Sequence, residues 1–235
     1  MKYIKLLAIT LLLPINYAYA QELTTDADKL SYGLGIKTGE HYRKQEIKIN
    51  PDSFYAGVLA GINNQTSALS EQEINTILTK LQADQIAKNN LQKENLAKEN
   101  LAKGKEFLEK NKQEQGIVVL TSGLQYKVLA SGKGNSPKLE DAVTVNYRGT
   151  LLDGTEFDNS YKRNESATLQ LNQLIKGWQE ALTLMKPGDK WKLFVPPELG
   201  YGEQAAGPII QPNSTLIFEI ELLGISSKNT LEKSG

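Results

Sequence analysis

The chain has no cysteine and a single histidine in 235 residues. Without a thiol it can form no disulfide, no thiolate metal site and no cysteine nucleophile. His41 is its only imidazole, in an N-terminal stretch of helical character. A Ser-His-Asp triad therefore cannot be assembled with the aromatic C-terminal part, and the common zinc sites lack their ligands. Charge of one sign is also missing. The 27 basic residues are matched by 27 acidic ones, and neither half of the chain is basic, which argues against a nucleic-acid binder. No apolar run reaches the roughly 20 residues that a membrane-spanning helix needs. Gly132-Lys133-Gly134-Asn135 lacks the spacing of a phosphate-binding loop. Asp153, Glu156 and Asp158 do not supply the alternating oxygen ligands of a calcium loop. The residues call for no cofactor and no metal ion.

What is present divides along the chain. Residues 1–20 have a basic start at Lys2 and Lys5, an apolar run from Leu6 to Leu13, and a small-x-small site at Ala18-Tyr19-Ala20. This is the pattern of a secretory signal peptide, with the mature chain starting near Gln21. Residues 21–69 read as short helices. Asp26 or Asp28 is placed to cap the first, and Asn50 to cap a second that has Pro51 in its first turn. Gly33, Gly35 and Gly39 in one helix should each cost about 1 kcal/mol relative to alanine. Close approach by another helix is the physical candidate for compensation, and Gly57 and Gly61 share a face in the same way; the alternative is that these glycines end short helices.

Residues 70–115 read as one long connecting helix. Ser70 and Glu73 form a capping box, and Ile74, Ile77, Leu78 and Leu81 give a helical stripe. Beyond it, Leu91, Leu96 and Leu101 recur every five residues. Five residues turn a helix by about 500°, so each leucine sits about 140° from the last. Such leucines form no stripe and no coiled-coil seam. The expected result is a solvent-exposed helical bridge, polar nearly all round.

From residue 116 to 225 the texture is that of strands. Leu124, Tyr126 and Val128 alternate with polar residues, as do Val143, Val145 and Tyr147, then Trp191, Leu193 and Val195, then Leu216, Phe218, Ile220 and Leu222. Asp153-Gly154 makes a hairpin turn before Phe157, and Thr168 to Leu171 reads as a short strand. Trp178, Ala181, Leu182 and Met185 mark one amphipathic helix ended by Lys186-Pro187-Gly188. About five strands and one helix give an α+β domain, an antiparallel sheet wrapped around a short helix. Glu198 to Asn213 is a long loop, and residues 226–235 a disordered tail.

Nine of the 17 aromatic residues lie from Tyr126 onward, with no acid–base machinery among them. A site of this composition suits a reaction needing only shape, dryness and a few hydrogen bonds, such as rotation about a prolyl peptide bond. The ordered pieces Val145-Asn146-Tyr147-Arg148-Gly149-Thr150-Leu151, Asp153 to Ser160, Leu174-Ile175-Lys176-Gly177-Trp178, Leu199-Gly200-Tyr201-Gly202 and Ile217-Phe218 resemble the FKBP-type peptidyl-prolyl cis–trans isomerases. Over residues 22–225 the chain is similar to the macrophage infectivity potentiator group of exported bacterial members.

The resemblance implies an FKBP-like fold and isomerase activity on proline-containing polypeptides during the folding of exported proteins. It implies a homodimer made by the N-terminal helices, a long helix holding two isomerase domains apart, and binding of the family's macrolide inhibitors. It places the protein in the periplasm or at the outer surface of a Gram-negative-type bacterium. Trp178 becomes the floor of a proline pocket walled by Tyr147, Phe157, Leu174, Ile175 and Phe218. Tyr201 and the Ile175 N–H become donors to a substrate carbonyl, Asp158 stands at the rim near the twisting amide, and Ile210 lies in an overhanging loop. Ala206 stands where some eukaryotic relatives have histidine, Ala167 falls near where they have phenylalanine, and the segment before Leu174 is shorter. These departures leave the rim and its sequence preference open. The alternative reading is a non-catalytic chaperone holding unfolded chains between two domains of a dimer, with a possible role in virulence.

Overall fold

The computed structural model describes residues 22–226. The expected signal peptide and nearly all of the expected tail lie outside them. The chain divides into two compact units, one up to Leu81 and one from Gln82 onward.

The first unit holds α1 (Asp26–Lys44), α2 (Pro51–Ile62) and the start of α3 (Glu71–Asn111). Thr25, not either aspartate, caps α1. Its hydroxyl accepts from the Asp28 N–H while the Asp28 carboxylate accepts from the Thr25 N–H, so the expected cap residue Asp28 is the third helical residue of a capping box. Asn50 caps α2 over Pro51 as expected, and Ser70 with Glu73 opens α3. Neither α1 nor α2 buries a residue. Tyr42 of α1 meets Phe54 of α2 edge-on at 5.9 Å. Leu30, Leu34, Tyr55 and Ile62 are more than half exposed. A β-carbon added at Gly33, Gly35, Gly39, Gly57 or Gly61 would meet nothing within 4 Å.

The second unit is a seven-stranded sheet: β1 (Ile117–Val119), β2 (Gln125–Ala130), β3 (Ala142–Thr150), β4 (Glu156–Asn159), β5 (Ala167–Gln170), β6 (Lys190–Val195) and β7 (Leu216–Ser226). The order is β1-β2-β6-β7-β3-β4, with β5 also on β3 and every pairing antiparallel. Along the β3 edge that faces away from β7, β5 pairs with Ala142–Val145 and β4 with Arg148–Thr150. Three of the seven strands, β1, β4 and β5, are only three or four residues long, too short for alternation to be a dependable signal, and of these β1 and β4 were not expected. The last strand runs one residue into the expected tail.

Alternation decides what the sheet buries. Val143, Val145, Leu193, Val195, Ile220 and Leu222 are fully buried, packed with Trp178, Ala181 and Leu182 of α5 (Lys176–Leu182) and with Met185 beyond it. A second short helix, α4 (Ser160–Arg163), was not expected. The turn after α5 is held by the buried Asp189, whose carboxylate accepts from the N–H groups of Gly132 and Lys186.

The C-terminal third of α3 also departs from expectation. It is not a solvated bridge but packs on the sheet domain. Gly104 and Asn111 are buried, Phe107 meets Phe194 at 5.8 Å, and Asn111 donates to Gln125, which donates to the Leu108 carbonyl.

Candidate functional site

Where β3, β4 and β7 meet the start of α5, four aromatic rings run edge to face. Tyr147 meets Trp178 at 5.1 Å and 81°, Trp178 meets Phe218 at 5.1 Å and 81°, and Phe218 meets Phe157 at 5.5 Å and 83°. Edge-to-face pairs of this kind contribute about 0.5–1.5 kcal/mol each beyond the area they bury, so the chain of rings is stiff. Strand register brings it about. Gly149 of β3 lies opposite both Asp158 and Phe218. A β-carbon on Gly149 would stand 2.4 Å from Phe157 Cε2 and 3.0 Å from Phe218 Cε1. Glycine at that position lets the two rings close over the strand.

Above the rings is an open cavity of about 500 Å³, within the range of small-ligand sites. It brings together Tyr147, Phe157, Asp158, Leu174, Ile175, Trp178, Tyr201, Ile210 and Phe218, all nine residues singled out from the sequence. Trp178, 3% exposed, lies at the bottom, and its indole N–H is buried without a partner. Tyr201 is 43% exposed, its side chain open to an incoming group. Ile175 is the extended residue that precedes α5, and its N–H has no acceptor among the described residues. Gln179 donates to the Leu174 carbonyl at 2.7 Å, fixing that approach to the helix.

Asp158 is held from three sides. The Tyr147 hydroxyl and the Arg163 guanidinium both donate to its carboxylate, and so does the Asn159 N–H at 2.8 Å. Arg163 also donates to the Tyr147 hydroxyl at 3.1 Å and stacks over that ring. Partial burial pushes the Asp158 carboxyl up. The Tyr147 hydrogen bond and the Arg163 charge outweigh it, so the carboxyl sits below its ordinary value. Burial, then the bond to Asp158, pushes the Tyr147 phenol up. On the neighbouring residue pair, Lys162, Arg148 and Asn159 draw Glu156 down to about 2, which ties β4 to β3.

Arg163 was not foreseen. It reaches Asp158 because Asn159 caps α4, accepting from the N–H groups of Tyr161 and Lys162, and one helical turn carries the chain back. Asn164, left-handed at φ 52°, ends the turn. The Asn159 cap was the signal that could have located it. Sequence reading also missed Leu169, Gln173 and residues 206–209 as parts of the wall. Ala206 is among them and bridges to Ile210, whereas Ala167 pairs with Val145 and is not in the wall. The arrangement offers an apolar floor, two donors and one ionised carboxylate, with no nucleophile poised by a base.

Residues 133–223 match the family described as FKBP-type peptidyl-prolyl cis-trans isomerase. Residues 27–128 match the domain described as amino terminal to that isomerase. The chain is 46% identical over 222 residues to the peptidyl-prolyl cis-trans isomerase Mip of Coxiella burnetii, covering 94% of this chain and 96% of that protein. It is 47% identical over 206 residues to the outer membrane protein MIP of Legionella longbeachae, covering 88% of each. The crystal structure of FkpA from Escherichia coli aligns with a TM-score of 0.72 at 42% identity, covering 87% of this chain and 99% of that one.

Proposed function

The chain belongs to the FKBP-type peptidyl-prolyl cis-trans isomerases, and from that premise we propose that the Xaa-Pro bond is turned in the cavity over Trp178. The isomerase activity follows from the family, and a purely non-catalytic holder of chains is not favoured. The observation that supports the assignment of the site is the buried Trp178 floor, edged by Tyr147 and Phe218 and open to solvent above.

The barrier to the reaction is the loss of amide resonance, about 18–20 kcal/mol. The twisted amide has a less polar carbonyl and a more amine-like nitrogen than the planar one. A dry aromatic floor favours that state, because the planar amide loses more hydration on entry. Proline packs on Trp178 between Tyr147, Phe157, Leu174 and Phe218. The Tyr201 hydroxyl and the Ile175 N–H donate to substrate carbonyls in the geometry of the twisted state, and Ile210 closes the cavity from the loop. Asp158, ionised and pinned by Tyr147 and Arg163, faces the rotating amide. Each group acts only by binding the transition state more strongly than the ground state, so no covalent intermediate is needed. A macrolide inhibitor of the family competes for the same cavity.

The test is the double variant Asp158→Ala/Tyr201→Phe in a protease-free isomerisation assay. Loss of activity with the thermal midpoint retained supports the site, and unchanged activity sinks it. If suppression of aggregation survives that loss, the chain also holds unfolded clients by other surfaces.

We further infer a homodimer through α1 and α2. Exposed Leu30, Leu34, Tyr55 and Ile62 beside glycines with open space around them support it. Sedimentation of the mature chain should give twice the monomer mass, and deletion of residues 21–70 should give monomers. Export follows from the signal-like residues 1–20, and N-terminal sequencing of the secreted product should begin near Gln21. No helix among the described residues is long and apolar enough to cross a membrane.

A further inference from the structure

The loop that overhangs the cavity carries Tyr201 at one end and Ile210 near the other. Its two ends are tied together, since the Asn213 N–H donates to the Gly202 carbonyl at 2.7 Å. The Pro212–Asn213 side of this tie rests on α3. Asn100 donates its side-chain amide to the buried Pro212 carbonyl at 2.9 Å, and Asn213 donates its own to the Ala97 carbonyl at 3.4 Å. Just beyond, Thr215 is 2% exposed, and a β-carbon on Gly104 would stand 2.2 Å from its hydroxyl oxygen. Ala97, Asn100 and Gly104 are three and four residues apart, so they present one face of the helix to the base of the loop. Asn213 is left-handed at φ 55°, a conformation asparagine tolerates.

We propose that α3 is a positioning element for the isomerase site: Asn100 and Asn213 clamp the base of the overhanging loop to the helix and thereby set where the Tyr201 hydroxyl stands over Trp178. The connection runs from Asn100 through Pro212 and Asn213 to Gly202, the residue after Tyr201. Without the clamp, the loop keeps the Gly202 N–H bond to the Pro197 carbonyl at 2.9 Å and internal bonds such as Ala206 N–H to the Ile210 carbonyl at 2.9 Å, but its Pro212–Asn213 side loses its hold on α3 and can shift. Asn100 and Asn213 touch no substrate in this scheme. They act through Tyr201, and the inference rests on the cavity being the site.

The experiment uses the full mature chain with Asn100→Ala, Asn213→Gly, Asn111→Ala and Asp158→Ala. Glycine at 213 keeps the positive φ and removes only the amide. Asn111→Ala loosens α3 at its far end, on Gln125, without touching the loop. Asn100→Ala and Asn213→Gly should each lower kcat/KM by about three- to tenfold, the scale of one hydrogen bond. Backbone amides of residues 203–211 should exchange with solvent faster in both, while those of β3 do not. Two results overturn the proposal: activity within twofold of wild type in both clamp variants, or an equal loss in Asn111→Ala, which would make the effect one of helix docking in general. Asp158→Ala separates the two readings. If it abolishes activity while the clamp variants are normal, the clamp alone is wrong; if it too is fully active, the site assignment falls and takes the clamp with it.

Discussion

Tyr147→Phe isolates the electrostatic part of the site from its shape. The ring stays, so the edge-to-face contact with Trp178 at 5.1 Å is preserved. What goes is one O–H donor to Asp158 and one acceptor for Arg163. A hydrogen bond to a charged group contributes about 1.5–3 kcal/mol. The Asp158 side chain is 38% exposed, and solvent screening reduces that to about 1 kcal/mol. If Asp158 acts in the transition state, a loss of this size lowers kcat/KM about fivefold, since about 1.4 kcal/mol is tenfold.

The pH dependence gives a second reading of the same variant. Asp158 sits below its ordinary 3.8 and Tyr147 above its ordinary 10.0. Neither changes charge across the neutral range, so the wild-type rate should be flat between about pH 5 and 9. Because the folded Asp158 carboxyl is depressed, its contribution to stability is fully present above the unfolded value. That contribution is lost as pH falls through the folded value. Removing the Tyr147 hydroxyl lets the carboxyl rise toward 3.8, and the acid limb of both activity and stability moves to higher pH. A protease-free assay on a tetrapeptide series from pH 3.5 to 9 measures this. A fivefold loss with the acid limb unmoved would refute the coupling through Asp158, and an unaltered rate at every pH would remove Asp158 from the reaction.

Gly149→Ala drives a β-carbon into the Phe157 and Phe218 rings. Overpacking of this kind costs about 1–3 kcal/mol, so both thermal midpoint and activity should fall, and calorimetry showing a wild-type midpoint would contradict the packing described. Trp178→Ala opens the floor of a site whose indole is 3% exposed and should cost about 3–5 kcal/mol by denaturant unfolding, with loss of activity even where the fold survives. Asp189→Ala leaves the N–H groups of Gly132 and Lys186 without their carboxylate. It should destabilise by about 1–3 kcal/mol in urea while kcat/KM of the folded fraction stays unchanged; a fall in that value would tie the turn to the site.

The parts of this molecule that sequence could disclose are those with a repeated or capped signal. Ser70 with Glu73, and Asn50 with Pro51, announced their helices because capping uses specific side chains at fixed spacing. The buried faces of β3, β6 and β7 showed as alternation. The nine cavity residues were found through motif order, since nothing in their periodicity separates them from core. What stayed hidden has a common cause. Four-residue α4 is barely one helical turn, too short for any periodicity to show, so with the Asn159 cap unread Arg163 was not placed beside Asp158. Apart from Phe107, the docking face of α3 is made of Ala97, Asn100, Gly104 and Asn111, small or polar residues that hydropathy scores as solvent-facing. Beyond Leu81 that helix therefore read as a solvent-exposed bridge, although its last third is packed. Residues 206–209 enter the wall only through the path of a loop, which composition does not determine.

The site is thus held by three assemblies. Its floor and walls are set by strand register and a chain of rings in the core, while its overhang hangs from α3. The Asp158 network is a third assembly, in which Tyr147, Arg163 and the carboxylate touch one another directly. Energies of contacting residues couple, and those of separate supports add. Tyr147→Phe and Arg163→Leu should therefore be non-additive: once one partner of Asp158 is gone, removing the other costs less or more than it does alone, with a coupling of about 0.5–3 kcal/mol. Tyr147→Phe combined with Asn100→Ala should add to within about 0.5 kcal/mol, because one acts on the carboxylate and the other on the loop. Measured by kcat/KM over the two cycles, coupling in the second would mean that the overhang and the carboxylate move together, and that the core and the suspended loop are not separate supports.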